Sequence, residues 1–132
     1  MAMYNKKKIT ASSEDYLEAI YYLNQKQGMV RVTDVADELS VSKPSVNRAI
    51  KKLVSEELVF HENYSEIKLT EKGFIEAKNV TRVHGILKSF LIDILGVDNE
   101  VAENEACAME HSICEETVNK LAKYIDKITE RS

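Results

Sequence analysis

Three side chains in the stretch EACAMEHSICEE have types and spacing that could do chemistry together. Cys107, Glu110 and His111 stand at i, i+3 and i+4. On an α-helix, at about 100° per residue, they fall within roughly 100° of arc. A thiol, a carboxylate and an imidazole on one face can ligate a divalent metal. The plain alternative is a solvated helix face. Two other places offer ligands. In SSEDYLEAI, Asp15 and Glu18 lie three residues apart on one helix face, where complementing a helix N-terminus is the simpler role. His84, in RVHGIL, is a lone histidine, and such a residue is more often an ordinary surface or part-buried group.

Helices must position all of these groups, and the chain is rich in helix formers. It has one proline and four glycines in 132 residues. Ser12 or Ser13 is expected to cap a first helix, with Ser12 and Asp15 in a capping-box spacing. Leu17, Ile20 and Leu23 form its buried stripe and Gly28 ends it. Thr33 is expected to cap a short helix that turns Val35, Ala36 and Leu39 inward. After the break at SVS, Ser42 caps another, with Pro44 in its first turn and Val46, Ile50 and Leu53 at helical spacing. Two short helices so joined make a helix-turn-helix.

The segment LVFHENYSEIKLT predicts two strands, 58–61 and 66–69, around a polar turn: a wing. Thr70 then caps a long helix to about Leu95, with Gly73 as a weak point in its first turn. Val83, Leu87, Phe90, Leu91 and Ile94 give that helix a broad apolar face, and Gly96 breaks it. Asp98 caps a helix reaching about His111. Ser112 caps a last one, with Cys114 inside it as a packing residue and Val118, Leu121, Ile125 and Ile128 along its apolar side.

The second helix of the helix-turn-helix carries the DNA-reading groups. Asn47 and Arg48 suit adenine and guanine edges. Ser42, Pro44, Ser45, Lys51 and Lys52 line the same helix, where the serines and lysines can hold phosphates; Tyr64 and Lys68 lie on or beside the wing. The net charge of −4 argues against this only until it is mapped. Residues 1–72 hold 11 basic and 11 acidic side chains, and residues 73–132 hold 7 and 11. Within the neutral part, SKPSVNRAIKK carries four positive charges and no negative one.

Other classes are poorly served. No apolar run approaches the ~20 residues of a membrane span, and no apolar segment follows the N-terminal lysines as a secretory signal requires. A cytoplasmic protein with reduced thiols is expected. The sequence has no Gly-rich phosphate loop, no HExxH and no nucleophile motif, so it does not read as an enzyme.

With these pieces in place, the chain from about Ser13 to Ile128 resembles the diphtheria toxin repressor family of iron- and manganese-dependent repressors. It is most similar to the short manganese-transport-regulator branch, which lacks an SH3-like third domain. The resemblance is carried by SSEDYLEAIYYL, RVTDVADELSVSKPSVNRAIKKL, LTEKG, RVHGILKSFLIDILGVD and EACAMEHSICEETVNKL. It implies metal ligands at Asp15, Glu18, His84, Cys107, Glu110 and His111. It also implies a homodimer that binds a palindromic operator in double-stranded DNA.

The ligand pattern is mixed. Asp15 and Glu18 match the manganese branch, where the position of Cys107 is normally Glu. Cys107 matches the iron branch, where the position of Asp15 is normally Met and that of Glu18 is not a ligand. The ancillary site of the iron branch uses a Glu one turn after the histidine, and here that residue is Lys88.

The expected architecture is mostly α: a winged helix-turn-helix DNA-binding domain, residues 1–72, then a helical metal-binding and dimerisation domain, residues 73–132. The expected function is transcriptional regulation, most simply repression of metal uptake, with Mn(II) or Fe(II) as corepressor. Co(II) or Zn(II) would bind in vitro, one or two metals sit in each subunit, and no organic cofactor is needed. The rival is a winged-helix regulator that responds to a small organic effector or to oxidation of Cys107.

Overall fold

The computed structural model describes residues 13–62 and 65–130. In chain order it contains α1 (Ser13–Gln27), α2 (Val32–Leu39), α3 (Lys43–Ser55), β1 (Val59–Phe60), β2 (Lys68–Leu69), α4 (Glu71–Ser89), a π-helical turn (Phe90–Ile94), α5 (Asn99–Met109) and α6 (Glu115–Glu130). Two compact units divide after Ala77, within α4.

The first unit is a three-helix cluster with a hairpin. Leu17 and Ile20 of α1, Val35 of α2, and Val46, Ile50 and Leu53 of α3 are almost fully buried in one core. Gly28 ends α1 with φ +88°, a conformation that only glycine adopts without strain. The start of α2 differs from expectation. Arg31, not Thr33, is the N-cap, because the Asp34 carboxylate accepts the Arg31 backbone N–H at 2.9 Å. Ser40 closes α2 in the left-handed region, φ 56°. Ser42 caps α3 as expected, its hydroxyl accepting the Ser45 N–H at 3.2 Å, with Pro44 in the first turn. The expected capping residue Ser12 lies outside the described residues.

The wing strands are shorter than predicted, two residues each, paired antiparallel as Val59 with Leu69 and Phe60 with Lys68. Flanking backbone groups are engaged elsewhere. The Leu58 N–H donates to Leu53 at 2.9 Å, and the Ile67 N–H donates to Val30 at 2.7 Å. The second bond ties the wing to the chain between α1 and α2. Thr70 caps α4, accepting the Gly73 N–H at 2.9 Å while its own hydroxyl donates to the Glu57 carbonyl at 2.7 Å. Gly73 is required rather than merely tolerated. A Cβ there would overlap the Leu58 carbonyl oxygen.

In the second unit Val83, Leu87 and Leu91 pack with Ala102, Ala106 and Val118. The long helix does not stay α to Leu95. Its last turn is π-helical, with the Leu95 N–H on the Phe90 carbonyl at 3.1 Å. Asp98 caps α5 through the Glu100 N–H, at 3.2 Å. That helix ends at Met109, so Glu110 is its C-cap and His111 lies in the following turn, not on the helix. The last helix begins at Glu115, three residues beyond the expected Ser112 cap. Cys114 precedes it and is exposed, not packed. Its Sγ lies 3.5 Å from the Thr117 hydroxyl, and the Thr117 side chain and backbone hold the thiol below the usual thiol range. Among the described residues no helix is long and apolar enough to cross a membrane.

Candidate metal centre and DNA-reading helix

In the second unit α4 and the end of α5 bring His84, Cys107 and Glu110 together. One candidate ligand atom from each lies within 4.8 Å of the others. That is near the spread allowed by metal–ligand bonds of about 2.0–2.3 Å. Cys107 and Glu110 share a face because they are one turn apart, and Glu110 keeps helical backbone angles although it is the cap residue.

The Glu110 side chain is completely buried. Its Oε1 is 2.7 Å from His84 Nδ1. Its Oε2 has no hydrogen-bond partner, and His111 Nε2 lies 3.4 Å from it. A buried carboxylate with an unsatisfied oxygen is costly unless positive charge meets it. The Glu110 carboxylate raises the His84 pKa from its ordinary 6.5 to about 9, against the burial of the ring and with help from Glu103. Without metal, therefore, the cluster holds its charge by keeping His84 protonated near neutrality. Nitrogen, sulfur and oxygen donors gathered around a buried carboxylate suit a divalent transition metal.

Sequence reasoning missed Glu103. It sits one turn before Cys107, with Oε2 3.1 Å from His84 Nε2 and Oε1 2.9 Å from Lys88 Nζ. Burial works to raise its pKa, yet Lys88 and His84 together hold it below the usual carboxylate range. The available signal was its helical spacing from Cys107, together with the odd cation at Lys88. Asp15 and Glu18 lie in the first turns of α1, in the other unit, and both are half-buried.

The exposed face of α3 carries Asn47, Arg48, Lys51 and Lys52, with Ser42 and Pro44 at its start. Ser45 is partly committed within the helix. Its Oγ accepts from Ser42 Oγ at 2.9 Å and from Arg48 Nη2 at 3.2 Å. An open groove of about 870 Å³ runs beside this face, lined by Asn47 and Lys51 and also by Arg31, Lys43 and His61. Arg31 and His61 were not singled out from the sequence, because they come from the α2 cap and the wing. Lys68 is exposed on β2, and Tyr64 lies outside the described residues.

Residues 8–67 match the iron dependent repressor N-terminal DNA-binding domain, and residues 70–132 match the iron dependent repressor metal-binding and dimerisation domain. The chain belongs to the iron-dependent repressor family. An HTH-type transcriptional regulator of Methanocaldococcus jannaschii, itself uncharacterised, is 35% identical over 124 residues, 93% of this chain and 99% of the relative. The HTH-type transcriptional regulator MntR of Bacillus subtilis is 34% identical over 121 residues, 92% of this chain and 84% of MntR. Among solved structures the manganese regulator SloR superposes with a TM-score of 0.81 at 32% identity, over 89% of this chain. The chain spans 55% of the SloR chain's length. Membership makes this iron-dependent repressor homologue a metal-responsive, DNA-binding transcriptional regulator with a dimerisation domain, not an enzyme.

Proposed function

We propose that the protein is a repressor of metal-uptake genes with Mn(II) or Fe(II) as corepressor, working in the cytoplasm as a homodimer on a palindromic operator. The observation that carries this reading is Glu110, a fully buried carboxylate with one oxygen that makes no hydrogen bond, set against His84 and Cys107. The proposed ligands are Asp15, Glu18, His84, Cys107, Glu110 and His111. A bound divalent ion would supply the positive charge that these mostly anionic groups need in order to converge.

The two ligand groups belong to different functional parts, which we divide after Lys72. Asp15 and Glu18 sit on α1, whose Leu17 and Ile20 share a core with Val46, Ile50 and Leu53 of α3. A close-packed core transmits a shift of α1 to the recognition helix without much loss. Holding α1 in place therefore selects the placement of Asn47 and Arg48 for base reading and of Ser42, Lys51 and Lys52 for phosphates. In the second part, Leu95, Val101 and Tyr124 stay about half exposed, and they supply apolar surface for a second copy. The likeness to SloR, a manganese regulator, supports Mn(II), whereas the Cys107 thiol favours Fe(II), Co(II) or Zn(II).

Calorimetric titration of the chelated protein with Mn(II), Fe(II), Co(II) and Zn(II), anaerobically and one metal at a time, tests the ligand set. Saturable uptake that is lost in Glu110→Gln supports it. Equal uptake by the variant removes its basis.

A further inference from the structure

The Lys88–Glu103 pair is hard to explain as a stabilising ion pair. Glu103 is half exposed and Lys88 a third exposed, and pairs so open to water contribute little. What distinguishes it is the third member. The other Glu103 oxygen reaches His84 Nε2 at 3.1 Å, while the opposite ring nitrogen, Nδ1, faces Glu110 at 2.7 Å. The imidazole is thus held at both ends, by a fully buried carboxylate on one side and a lysine-anchored carboxylate on the other.

We propose that Glu103 is a positioning residue for the metal centre: it accepts the His84 Nε2–H, so that Nδ1 is the nitrogen presented to the metal beside Glu110, and Lys88 holds Glu103 in that role. This deepens the proposed metal-dependent reading and rests on it.

The physical case has three parts. A neutral imidazole has one N–H and one lone pair, and the hydrogen bond at one nitrogen decides which nitrogen is the ligand. Metal-bound histidines generally donate their other N–H to a carboxylate or carbonyl, and loss of that partner lowers metal affinity by about 10–100-fold. Left unanchored, a carboxylate at Glu103 could itself swing onto a cation. The Lys88 ammonium occupies one of its oxygens and leaves the other for the histidine. Lys88 and Glu103 stand one turn from His84 and Cys107 respectively, so α4 and α5 place this outer layer with the same periodicity that places the ligands.

The test uses the full chain with ¹⁵N-labelled histidine and Zn(II), which is diamagnetic, in long-range proton–nitrogen NMR. The wild type is expected to show His84 with Nε2 protonated and Nδ1 metal-bound. Mn(II) affinity, by calorimetry, should fall about 10–100-fold in Glu103→Ala. It should return most of the way in Glu103→Gln, whose amide oxygen still accepts the bond. Lys88→Met should fall between wild type and Glu103→Ala. Glu103 is half exposed, so circular dichroism should show every variant folded. A metal-bound Nε2 in the wild type overturns the proposal, as does unchanged affinity in Glu103→Ala. Equal loss in the Ala and Gln variants also overturns it, since that would make Glu103 a ligand. Failure of the wild type to take up Zn(II) or Mn(II) at all would instead sink the metal-dependent reading beneath it.

Discussion

Metal affinity should depend steeply on pH, because the chelated protein keeps a proton where the metal must bind. With Glu110 and Glu103 on its two nitrogens, His84 titrates at about 9. At pH 7 that is two units above the solution pH, so removing the proton costs about 2.7 kcal/mol and lowers apparent affinity by roughly 100-fold. Part of the ring sees water, and screening brings the expected penalty to about 10–100-fold.

The sign is fixed by the raised pKa. Affinity for Mn(II) climbs as pH rises from 6.5 towards 9, by up to tenfold per unit from His84 alone. Stability of the chelated fold runs the other way. The His84 contribution is fully present below 6.5 and is lost as pH rises through about 9. Calorimetry in buffers of different ionisation enthalpy should show protons released on metal binding at pH 7. The Cys107 thiol also loses a proton as it ligates, so the histidine's share is isolated by NMR titration of its ring in the chelated protein. A His84 pKa near 6.5, or an affinity flat between pH 6.5 and 8.5, refutes the reasoning.

Other expected outcomes follow from separate parts of the molecule. Glu18→Gln should weaken metal-dependent DNA binding while leaving the dimer intact by light scattering; a monomer would make Glu18 structural. Cys107→Glu removes the soft donor, so competition titrations should move its preference from Zn(II) towards Mn(II) by about tenfold or more. Arg48→Ala should cost about 1–3 kcal/mol in operator binding and relax sequence preference at one base pair, read by fluorescence anisotropy on variant duplexes. Gly73→Ala must push the wing away from α4, and should lower unfolding free energy by about 1–3 kcal/mol in urea.

Much of this arrangement is legible in the sequence, for identifiable reasons. The burial of Leu17, Ile20, Val46, Ile50 and Leu53 follows from helical spacing, and the caps at Ser42, Thr70 and Asp98 follow from side chains that can reach backbone N–H groups. The grouping of Cys107 with Glu110 follows from their one-turn spacing. What escapes is what depends on partners distant in sequence. The wing shrinks because Leu58 and Ile67 give their N–H groups to Leu53 and Val30. The need for glycine at 73 is set by the Leu58 carbonyl, fifteen residues earlier. Thr33 is a better N-cap type than Arg31, yet Asp34 captures the Arg31 N–H and starts α2 earlier. Cys114 looks like a packing residue by type, and is exposed because α6 starts one residue later. Glu103 gains its meaning from Lys88 and His84 on another helix, which no local pattern announces.

The most direct measurement of the central claim is operator affinity with and without metal. Duplexes would be selected separately with the Mn(II)-loaded and the chelated protein, and each titrated anaerobically against both forms by fluorescence anisotropy. The account predicts an inverted-repeat site bound at least about tenfold more tightly by the loaded dimer, within the 1–3 kcal/mol range typical of coupling between sites. Equal affinity of the loaded and chelated forms for every selected duplex would contradict it.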